Sequence, residues 1–502
     1  MKNGNFLLKA KIVDISARVA TGVVLINRSD CDRYSIKPGS NVAMHIKNQT
    51  ITVHVDITDS LIKKGEVGIF KDLGAKYRIY NGEALEFSLV GIGKPKSLEA
   101  IQKNMLGHDL SYAEMKAIVS DIVDRKLNDV AIAFFVSSSF LGQISPKELF
   151  YLTKAMVETG KRISFPGIVV DKHSIGGLCG NETTPVIVPI VASFGVYIPK
   201  TCSRAITSAS GTADTFEVLA PVSFTDEELK RIVMKTKGCI IWGTGDITPS
   251  DAIILDVASQ LLIESFPKMV ASIIAKKVAL GVKYLVIDIP VNKSAKIKNV
   301  ADGKKLEKVF IDVTKQFGIK TIVSLNPVTG PIGRGIGAAL QIRDDLKVLE
   351  QQPDRPMDLQ NRAVYLAGII LEMSGAVPKG QGRKAALETL VSGRALMKMK
   401  AIIAAQGGKP DITSKDIKLA KKKYDLKANI SGTIKSIDSV NLSEICRILG
   451  SPFIKSAGIY FEKKMGDKIS KGDILCTLYS TTDFRIELAI KTLKEKPIFE
   501  IN

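Results

Sequence analysis

The chain has 502 residues, a length that predicts about three domains at roughly 150 residues each. Its 45% hydrophobic and 24% charged residues are close to the average of globular proteins, which excludes global disorder. The formal net charge of +20 suits anionic partners, and scattered lysines that only keep the chain soluble explain it equally well.

Cysteine and histidine usage argues against a metal site. The six cysteines include no C-x-x-C pair and the four histidines are dispersed, so neither a zinc site nor a disulfide framework is indicated. The N-terminus lacks the apolar core of a signal peptide, and the most apolar stretch, residues 185–199, is too short to span a bilayer. We therefore expect a cytoplasmic protein without a metal, membrane or nucleic-acid partner, since no basic and aromatic strip is visible.

The first 90 residues predict a small β-barrel-like module. Segments rich in β-branched residues at 9–15, 22–26 and 50–56 are separated by turn signals such as Pro38-Gly39. The pattern then becomes helical through residues 91–165.

Two capping boxes mark helix starts in this helical part. Ser111 pairs with Glu114, and Ser145 pairs with Glu148 with a proline at the first helical position. These signals predict a helical domain.

Strand and helix patterns alternate in residues 166–248 and 281–350, which predicts a mostly parallel sheet with crossover helices and an α/β fold class. The expected strands are 167–170, 196–198, 284–289 and 320–324, and the expected helices are 183–194, one capped by Thr225, and one near 303–317. A helical connection over 351–424 and a C-terminal α+β module over 425–502 follow.

The first candidate site is a strand that runs into lysine, serine and paired glycines. In Val170-Asp-Lys-His-Ser-Ile-Gly-Gly177, backbone N–H groups can form a concave nest, to which Lys172 adds charge and Ser174 a hydroxyl. Neither G-x-x-x-x-G-K-[ST] nor G-x-G-x-x-G is present. A tight strand-to-helix turn explains the pattern about as well, but the adjacent lysine and serine favour anion binding.

The second candidate segment is residues 200–214, where hydroxyl side chains cluster around Arg204. They follow a predicted strand, which places many donors at the C-terminal edge of the sheet, where open α/β folds bind ligands. Arg204 is a natural bidentate partner for phosphate. A plain Ser/Thr loop is the alternative interpretation.

The third segment, residues 264–276, places Ser272 and Lys276 four residues apart on one face of an otherwise apolar helix. On spacing alone, a satisfied core hydroxyl and a solvated pair Lys276-Lys277 explain it. Two phosphate-capable loops without a metal cluster or nucleotide fingerprint suggest phosphate as a substrate. Phosphate acting directly as a nucleophile needs an anion cradle, a sugar or base pocket and a proton donor for the leaving group.

In this order the motifs resemble the thymidine/pyrimidine-nucleoside phosphorylase family, most closely its AMP phosphorylase branch with the neighbouring type 2 thymidine phosphorylases. The resemblance covers nearly the whole chain, and the extra N-terminal β module favours the AMP phosphorylase branch. The matching motifs are Asp171-Lys-His-Ser-x-Gly-Gly177, Pro199-Lys-Thr-x-Ser-Arg-Ala-Ile-Thr-Ser208, Gly211-Thr-Ala-Asp214, Ala271-Ser-Ile273, Pro331-Ile-Gly-Arg-Gly-Ile-Gly337, Ser392-Gly-Arg-Ala-Leu396 and Ser456-Ala-Gly-Ile459.

This resemblance implies a helical domain, residues 91–165 completed by about 249–280, that faces the α/β phosphate-binding domain across a cleft. It implies inorganic phosphate as co-substrate with no cofactor, and a homodimer or larger homo-oligomer. The implied phosphate residues are Lys172, Ser174 and Thr212. The implied nucleotide residues are Gly177, Ser203, Arg204, Ala205, Ile206, Thr207, Ser208, Thr212, Ser272 and Lys296. Glu264 falls at the position of the proton donor.

The chain departs from the family pattern at informative positions. Glu264 stands where the AMP phosphorylase branch has aspartate, and one extra methylene moves the proton by about an ångström. Glu182 stands where the family usually has a basic residue. Residues 243–268 contain no arginine, and Val257 lies near the place where ordinary thymidine phosphorylases carry the arginine that reads the pyrimidine carbonyl.

The activity that the resemblance implies is phosphate-dependent cleavage of the N-glycosidic bond of a nucleoside 5'-monophosphate. With AMP the products are adenine and ribose 1,5-bisphosphate. A thymidine phosphorylase, and a nucleotide- or phosphate-binding homologue without turnover, are the two alternatives.

Overall fold

The computed structural model describes residues 5–15, 22–47, 49–89, 96–141, 144–205, 208–243, 246–260, 265–293 and 295–502. The chain forms two compact units, Met1–Thr159 with Pro249–Pro267, and Gly160–Thr248 with Lys268–Asn502.

The first unit begins with strands that close into a barrel in the order β1-β5-β2-β4-β3-β6, as far as the described residues go. Burial alternates along β3, as expected for a strand with one face toward a core. The elements are β1 (Asn5–Val13), β2 (Val23–Asn27), α1 (Arg28–Tyr34), β3 (Asn41–Ile46), β4 (Gln49–Thr58), β5 (Glu66–Phe70), α2 (Lys71–Tyr77) and β6 (Ala84–Ser88).

Helices follow the barrel, and the capping boxes at Ser111 and Ser145 are confirmed. In each box the serine side chain accepts from the backbone N–H of the glutamate three residues on, and the glutamate side chain accepts from the serine N–H. The helices are α3 (Lys96–Met105), α4 (Tyr112–Val123), α5 (Asp129–Leu141) and α6 (Pro146–Glu158).

The second unit carries the parallel strands predicted from the alternating pattern. Strand β7 pairs in parallel with β10 (Tyr284–Val291), which pairs in parallel with β11 (Lys320–Pro327). Strand β8 pairs in parallel with β9, and an isolated parallel bridge joins Val169 to Tyr197. The elements up to residue 279 are β7 (Val170–Ser174), α7 (Thr184–Ala192), β8 (Ile198–Cys202), α8 (Thr212–Phe216), α9 (Asp226–Thr236), β9 (Gly238–Trp242), α10 (Pro249–Gln260) and α11 (Phe266–Ala279).

Further helices cover the sheet and lead to the C-terminal module. Every residue of α7 is buried, and this apolar helix packs against α14 and α16. These elements are β10 (Tyr284–Val291), α12 (Val300–Gln316), β11 (Lys320–Pro327), β12 (Gly335–Ile336), α13 (Ala338–Leu349), α14 (Met357–Met373), α15 (Gly382–Val391) and α16 (Arg394–Ala405).

The C-terminal module mixes antiparallel strands with two helices around its own core. Its sheets run in the orders β12-β15-β17-β13 and β16-β14-β18. The elements are β13 (Lys422–Lys427), β14 (Gly432–Ile437), α17 (Ser439–Leu449), β15 (Gly458–Phe461), β16 (Lys468–Ile469), β17 (Ile474–Ser480), α18 (Asp483–Glu495) and β18 (Phe499–Ile501).

Two predicted strands lie further along the chain than expected. The strand expected at 167–170 is Val170–Ser174, and the strand expected at 196–198 is Ile198–Cys202. Hydrophobicity pointed to the apolar residues, but the ladder extends because Lys172 pairs in register with Val286 and Ser174 with Asp288. Lys172 and Ser174 therefore lie in the strand itself.

The stretch 249–280, assigned from the sequence to the helical domain, is divided between the units at Lys268. In the part that belongs to the second unit, Lys277 is buried and lies 2.6 Å from Asp171 of β7, so the end of α11 packs with the sheet. The expectation of a solvated Lys277 is wrong. Among the described residues, no helix combines the length and apolarity needed to cross a membrane.

Candidate active site

Lys172, Ser174 and Thr212, which we call the polar triad, are contacted by three consecutive residues of one loop. Asn181 Nδ2 donates to Ser174 Oγ (3.2 Å), Thr212 Oγ1 donates to Glu182 Oε2 (2.9 Å), and Lys172 Nζ donates to Thr183 Oγ1 (2.8 Å). The triad comes from β7 and from the first residue of α8, two places 40 residues apart in sequence. The loop before α7 thus brings the three predicted phosphate residues together.

Buried charge surrounds the triad. Burial lowers the pKa of Lys172, and the neighbouring carboxyls of Asp288 and Glu182 oppose that shift. Burial raises the pKa of Glu182, which Lys172 and the hydrogen bond from Thr212 partly offset. Burial also raises the pKa of Asp345 well above its usual range, and Glu182 adds to the shift. One lysine therefore faces several carboxyls.

A chain of polar contacts links Ser174, through Asn181, to residues of β10 and α14. Asn181 Nδ2 also donates to Asp288 Oδ2 (3.0 Å), and Arg362 Nη2 contacts Asp288 Oδ1 and donates to Ser324 Oγ (3.1 Å). Asp288 is fully buried at the position of β10 that pairs with Ser174. The orientation of Ser174 thus depends on residues from β10 and α14.

The loop after β8 is organised by Asp214. Its carboxylate accepts from the backbone N–H of Ala205 (2.7 Å) and of Gly211 (3.1 Å), and from Arg204 Nη1 (3.1 Å). The carbonyl of Ser203 accepts from the N–H of Ala213, and Ser208 Oγ donates to the Ser210 carbonyl (3.0 Å). This network fixes Ser203, Arg204 and Ala205 close to Thr212, as the motif order predicts.

Arg204 differs from the expected phosphate partner because carboxylates already engage it. Its guanidinium donates to both carboxylate oxygens of Glu217 (2.7 and 2.6 Å) and lies 4.9 Å from the Trp242 ring centroid. A phosphate would compete with this bidentate pair. Its role in nucleotide binding stays a prediction, and Ile206 and Thr207 lie outside the described residues.

Two predicted nucleotide residues meet directly. Gly177 has a φ of +88°, and a Cβ placed on it would lie 2.5 Å from Lys296 Cγ and 2.6 Å from the Lys296 backbone nitrogen. Only glycine permits this close approach without displacing the backbone. The loop after β7 therefore packs directly against Lys296 at Gly177.

On α11, Lys276 Nζ donates to Ser272 Oγ (2.9 Å), so the four-residue spacing does place them on one face. The next residue, Lys277, lies 2.6 Å from Asp171 Oδ2 and donates to Thr201 Oγ1 (2.8 Å). This contact ties α11 to β7 and β8. Glu264, the predicted proton donor, lies outside the described residues.

Sequence reasoning did not find Asn181, Thr183, Asp288 and Arg362. The polar run Asn181-Glu-Thr-Thr184 before an apolar helix was a usable signal, because polar residues at a helix start often bind a ligand or a neighbouring loop. Asp288 and Arg362 carry no local pattern. Among the described residues, no group of three His, Cys, Asp or Glu side chains is arranged to hold a metal ion.

Comparison with known proteins gives three matching family models. They are the glycosyl transferase family a/b domain over residues 166–396, its helical bundle domain over 98–160, and the pyrimidine nucleoside phosphorylase C-terminal domain over 433–499. Among solved structures, anthranilate phosphoribosyltransferase from Thermus thermophilus covers 61% of this chain and 99% of its own, with a TM-score of 0.50 and 16% identity. About three fifths of the chain thus shares the fold of that enzyme.

Curated relatives match nearly the full length. An AMP phosphorylase of Methanosarcina barkeri is 38% identical over 97% of this chain and 95% of its own, and one of Methanococcus vannielii is 38% identical over 99% and 97%. An AMP phosphorylase of Methanocaldococcus jannaschii is 38% identical over 96% of this chain. The chain belongs to the AMP phosphorylase branch of the thymidine/pyrimidine-nucleoside phosphorylase family.

Proposed function

We propose that this protein is a pentosyltransferase that converts AMP and inorganic phosphate to adenine and ribose 1,5-bisphosphate. The observation that carries the proposal is the polar triad, a buried lysine and two hydroxyls around one loop, in a chain similar to AMP phosphorylases over nearly its whole length. Val257 lies near the position at which ordinary thymidine phosphorylases have the arginine that reads the pyrimidine carbonyl. It is buried in α10, and its side chain has no hydrogen-bond donor. Recognition of thymidine in the way of ordinary thymidine phosphorylases is therefore not expected.

In the proposed reaction, inorganic phosphate sits against the polar triad and attacks the anomeric carbon as the N-glycosidic bond breaks. The phosphate dianion stabilises the positive charge that develops on the sugar. The new bond joins phosphate oxygen to the anomeric carbon, and the electrons of the broken bond leave with the base. Glu264 supplies the proton that the departing base requires.

The nucleotide is assigned to the loops beside the triad. Gly177 and Lys296 meet directly, Arg204 and Ala205 are held by Asp214 close to Thr212, and Ser272 accepts a hydrogen bond from Lys276 on α11. Phosphate is the co-substrate, and no cofactor takes part in the proposed mechanism.

Release of free base tests the proposal. AMP, CMP, UMP and thymidine are each incubated with and without inorganic phosphate, and the free base is quantified. We expect phosphate-dependent release from AMP. Release from thymidine instead would reassign the substrate, and no release from any of the four, with phosphate still bound, would make the protein a binding protein.

Replacing Glu264 by glutamine is expected to lower kcat at least about tenfold and to change KM less, because general acids contribute about 10²- to 10⁴-fold. Glutamine keeps the size of the side chain and removes the transferable proton. Steady-state kinetics with AMP measure both constants. An unchanged kcat would remove Glu264 from the role.

Replacing Gly177 by alanine is expected to raise KM for AMP about tenfold, since the new methyl group displaces Lys296. Gly176→Ala is the matched control, because Gly176 has a φ of +76° with nothing within 4 Å of its built Cβ. Both variants carry the backbone strain of about 1–3 kcal/mol, and only the first carries the collision. Equal KM values in the two variants would show that contact with Lys296 does not matter for binding.

A further inference from the structure

A strongly basic cavity lies in the same unit as the polar triad. It has a volume of about 1420 Å³ and is lined by the loop after β11, by α13 and α14, and by β15 and β17 of the C-terminal module. None of the described residues that were predicted for phosphate or nucleotide lines it. Known small-molecule pockets measure about 300–1,000 Å³, so this cavity is larger than an inorganic anion alone would fill.

Positive charge dominates the cavity wall. Cationic side chains outnumber carboxylates by seven to three among the lining residues. The carboxylate of Asp354 pairs with Lys347 and that of Asp358 with Lys464. Within the described part of the chain, neither Arg343 nor Arg383 has a carboxylate oxygen within 4 Å, although Asp344 and Asp354 are near enough to Arg343 for their charges to interact. The wall thus holds cationic charge that its own carboxylates do not neutralise.

Several donors of this wall also lack acceptors. Arg343 Nε, Arg362 Nε and Asn326 Nδ2 are buried and, within the described part of the chain, have no hydrogen-bond partner. A buried donor without an acceptor costs about 1–3 kcal/mol, so a small side-chain shift that brings an acceptor within reach would be favourable. The polar groups of this wall are therefore not fully satisfied by the protein itself.

Aromatic rings stand beside the cations. Arg343 lies 4.7 Å from the ring centroid of Tyr460, and Arg362 lies 5.3 Å from that of Tyr365. Tyr479 also lines the cavity, and Tyr365 is 43% exposed, which leaves ring surface for stacking. Arginine forks bind phosphate oxygens in pairs, and rings beside them accept a flat heterocycle.

We propose that this cavity is a second ligand site that binds an organic oligophosphate, a nucleoside di- or triphosphate. Arg343 and Arg383 bind the phosphates, and Tyr365 and Tyr479 offer the base a stacking surface. The cavity contains none of the described residues predicted for phosphate or nucleotide, although Arg362 on its wall also contacts Asp288 near Ser174. The inference does not rest on the proposed function.

Calorimetric titration of ATP into the full-length protein, in buffer saturated with inorganic phosphate, tests the site. We expect one ATP per chain at this cavity, weakened by added salt, with Kd at least tenfold higher in Arg343→Gln and at least threefold higher in Arg383→Gln. Arg394→Gln is the matched control, since Arg394 also stacks on a ring, 5.3 Å from that of Phe194, and lies outside the cavity. Its Kd should equal that of the wild type.

Further titrations distinguish binding at this cavity from binding at the candidate active site and from nonspecific attraction to positive charge. Ser174→Ala should leave ATP binding unchanged. Adenosine should bind at least tenfold more weakly than ATP, and tripolyphosphate should bind more weakly than ATP but respond to the same two arginine variants. ATP binding that is lost in Ser174→Ala, or that ignores both arginine variants, would overturn the proposal, as would no binding at all. Thermal unfolding without ligand verifies that each variant folds. If Arg343→Gln does not fold, the variant Arg383→Gln decides the question, because Arg383 is exposed on α15.

Discussion

Replacing Glu182 by glutamine is expected to tighten the binding of inorganic phosphate about 10- to 100-fold at alkaline pH and hardly at all at acidic pH. The carboxylate of Glu182 accepts from Thr212 at 2.9 Å and faces Lys172, so it occupies groups that the proposed phosphate needs. Two like charges about 4 Å apart repel by about 4 kcal/mol at an effective dielectric constant of 20. A 10- to 100-fold effect corresponds to only about 1.4–2.8 kcal/mol of this repulsion.

The pH dependence follows from the direction of the pKa shift. Burial raises the pKa of Glu182, so this carboxyl keeps its proton to a higher pH than an exposed glutamate and becomes repulsive as pH rises through the raised pKa. The ionised form also favours the charged form of Lys172, which offsets part of the gain in the variant. Phosphate affinity therefore diverges between wild type and Glu182→Gln only above that pKa.

Calorimetric phosphate titrations across pH measure the divergence. The titration of phosphate itself is common to both proteins and cancels in the ratio of their Kd values. Glu388→Gln, at a side chain that is 66% exposed, is the control for a general change in charge. A ratio that stays constant over the whole pH range would show that Glu182 does not face the phosphate.

Local signals in the sequence predicted local structure well. The pairs Ser111 with Glu114 and Thr225 with Glu228 form the capping boxes that their spacing indicates, because all the interacting groups lie within four residues. The apolar run at 183–194 is the buried helix Thr184–Ala192. The motifs of the candidate site are also brought together, since Lys172, Ser174 and Thr212 contact three consecutive residues of one loop.

Long-range pairing was not predictable in the same way. Arg204 looked like a free phosphate partner because Glu217, which engages it, is 13 residues away and belongs to another element. Strand boundaries shifted for a similar reason, because Lys172 and Ser174 are polar and only their pairing with β10 extends the strand. In each of these places a polar residue has a partner that is brought to it only by the fold.

Lys277 is the largest such case, and replacing it by methionine is expected to lower the free energy of unfolding by up to about 3–5 kcal/mol at neutral pH. Its ammonium lies 2.6 Å from the fully buried Asp171, whereas Lys200 lies 3.6 Å from the same carboxylate and remains in the variant as a weaker partner. Removing Lys277 therefore leaves the buried carboxylate only partly compensated. Asp171→Asn/Lys277→Met, which removes both charges, should recover at least half of the loss.

The loss in unfolding free energy caused by Lys277→Met should also increase as the pH rises. Burial lowers the pKa of Lys277 to about 7, against about 10.4 in an unfolded chain. Between these values the unfolded state holds a proton that the folded state has released, so the contribution of Lys277 to stability grows as pH rises through this window. Urea unfolding at pH 6, 7 and 9 measures it, with Lys305→Met, at an exposed ion pair, as the control. A loss no greater than that control would mean that the pair does not hold α11 against β7.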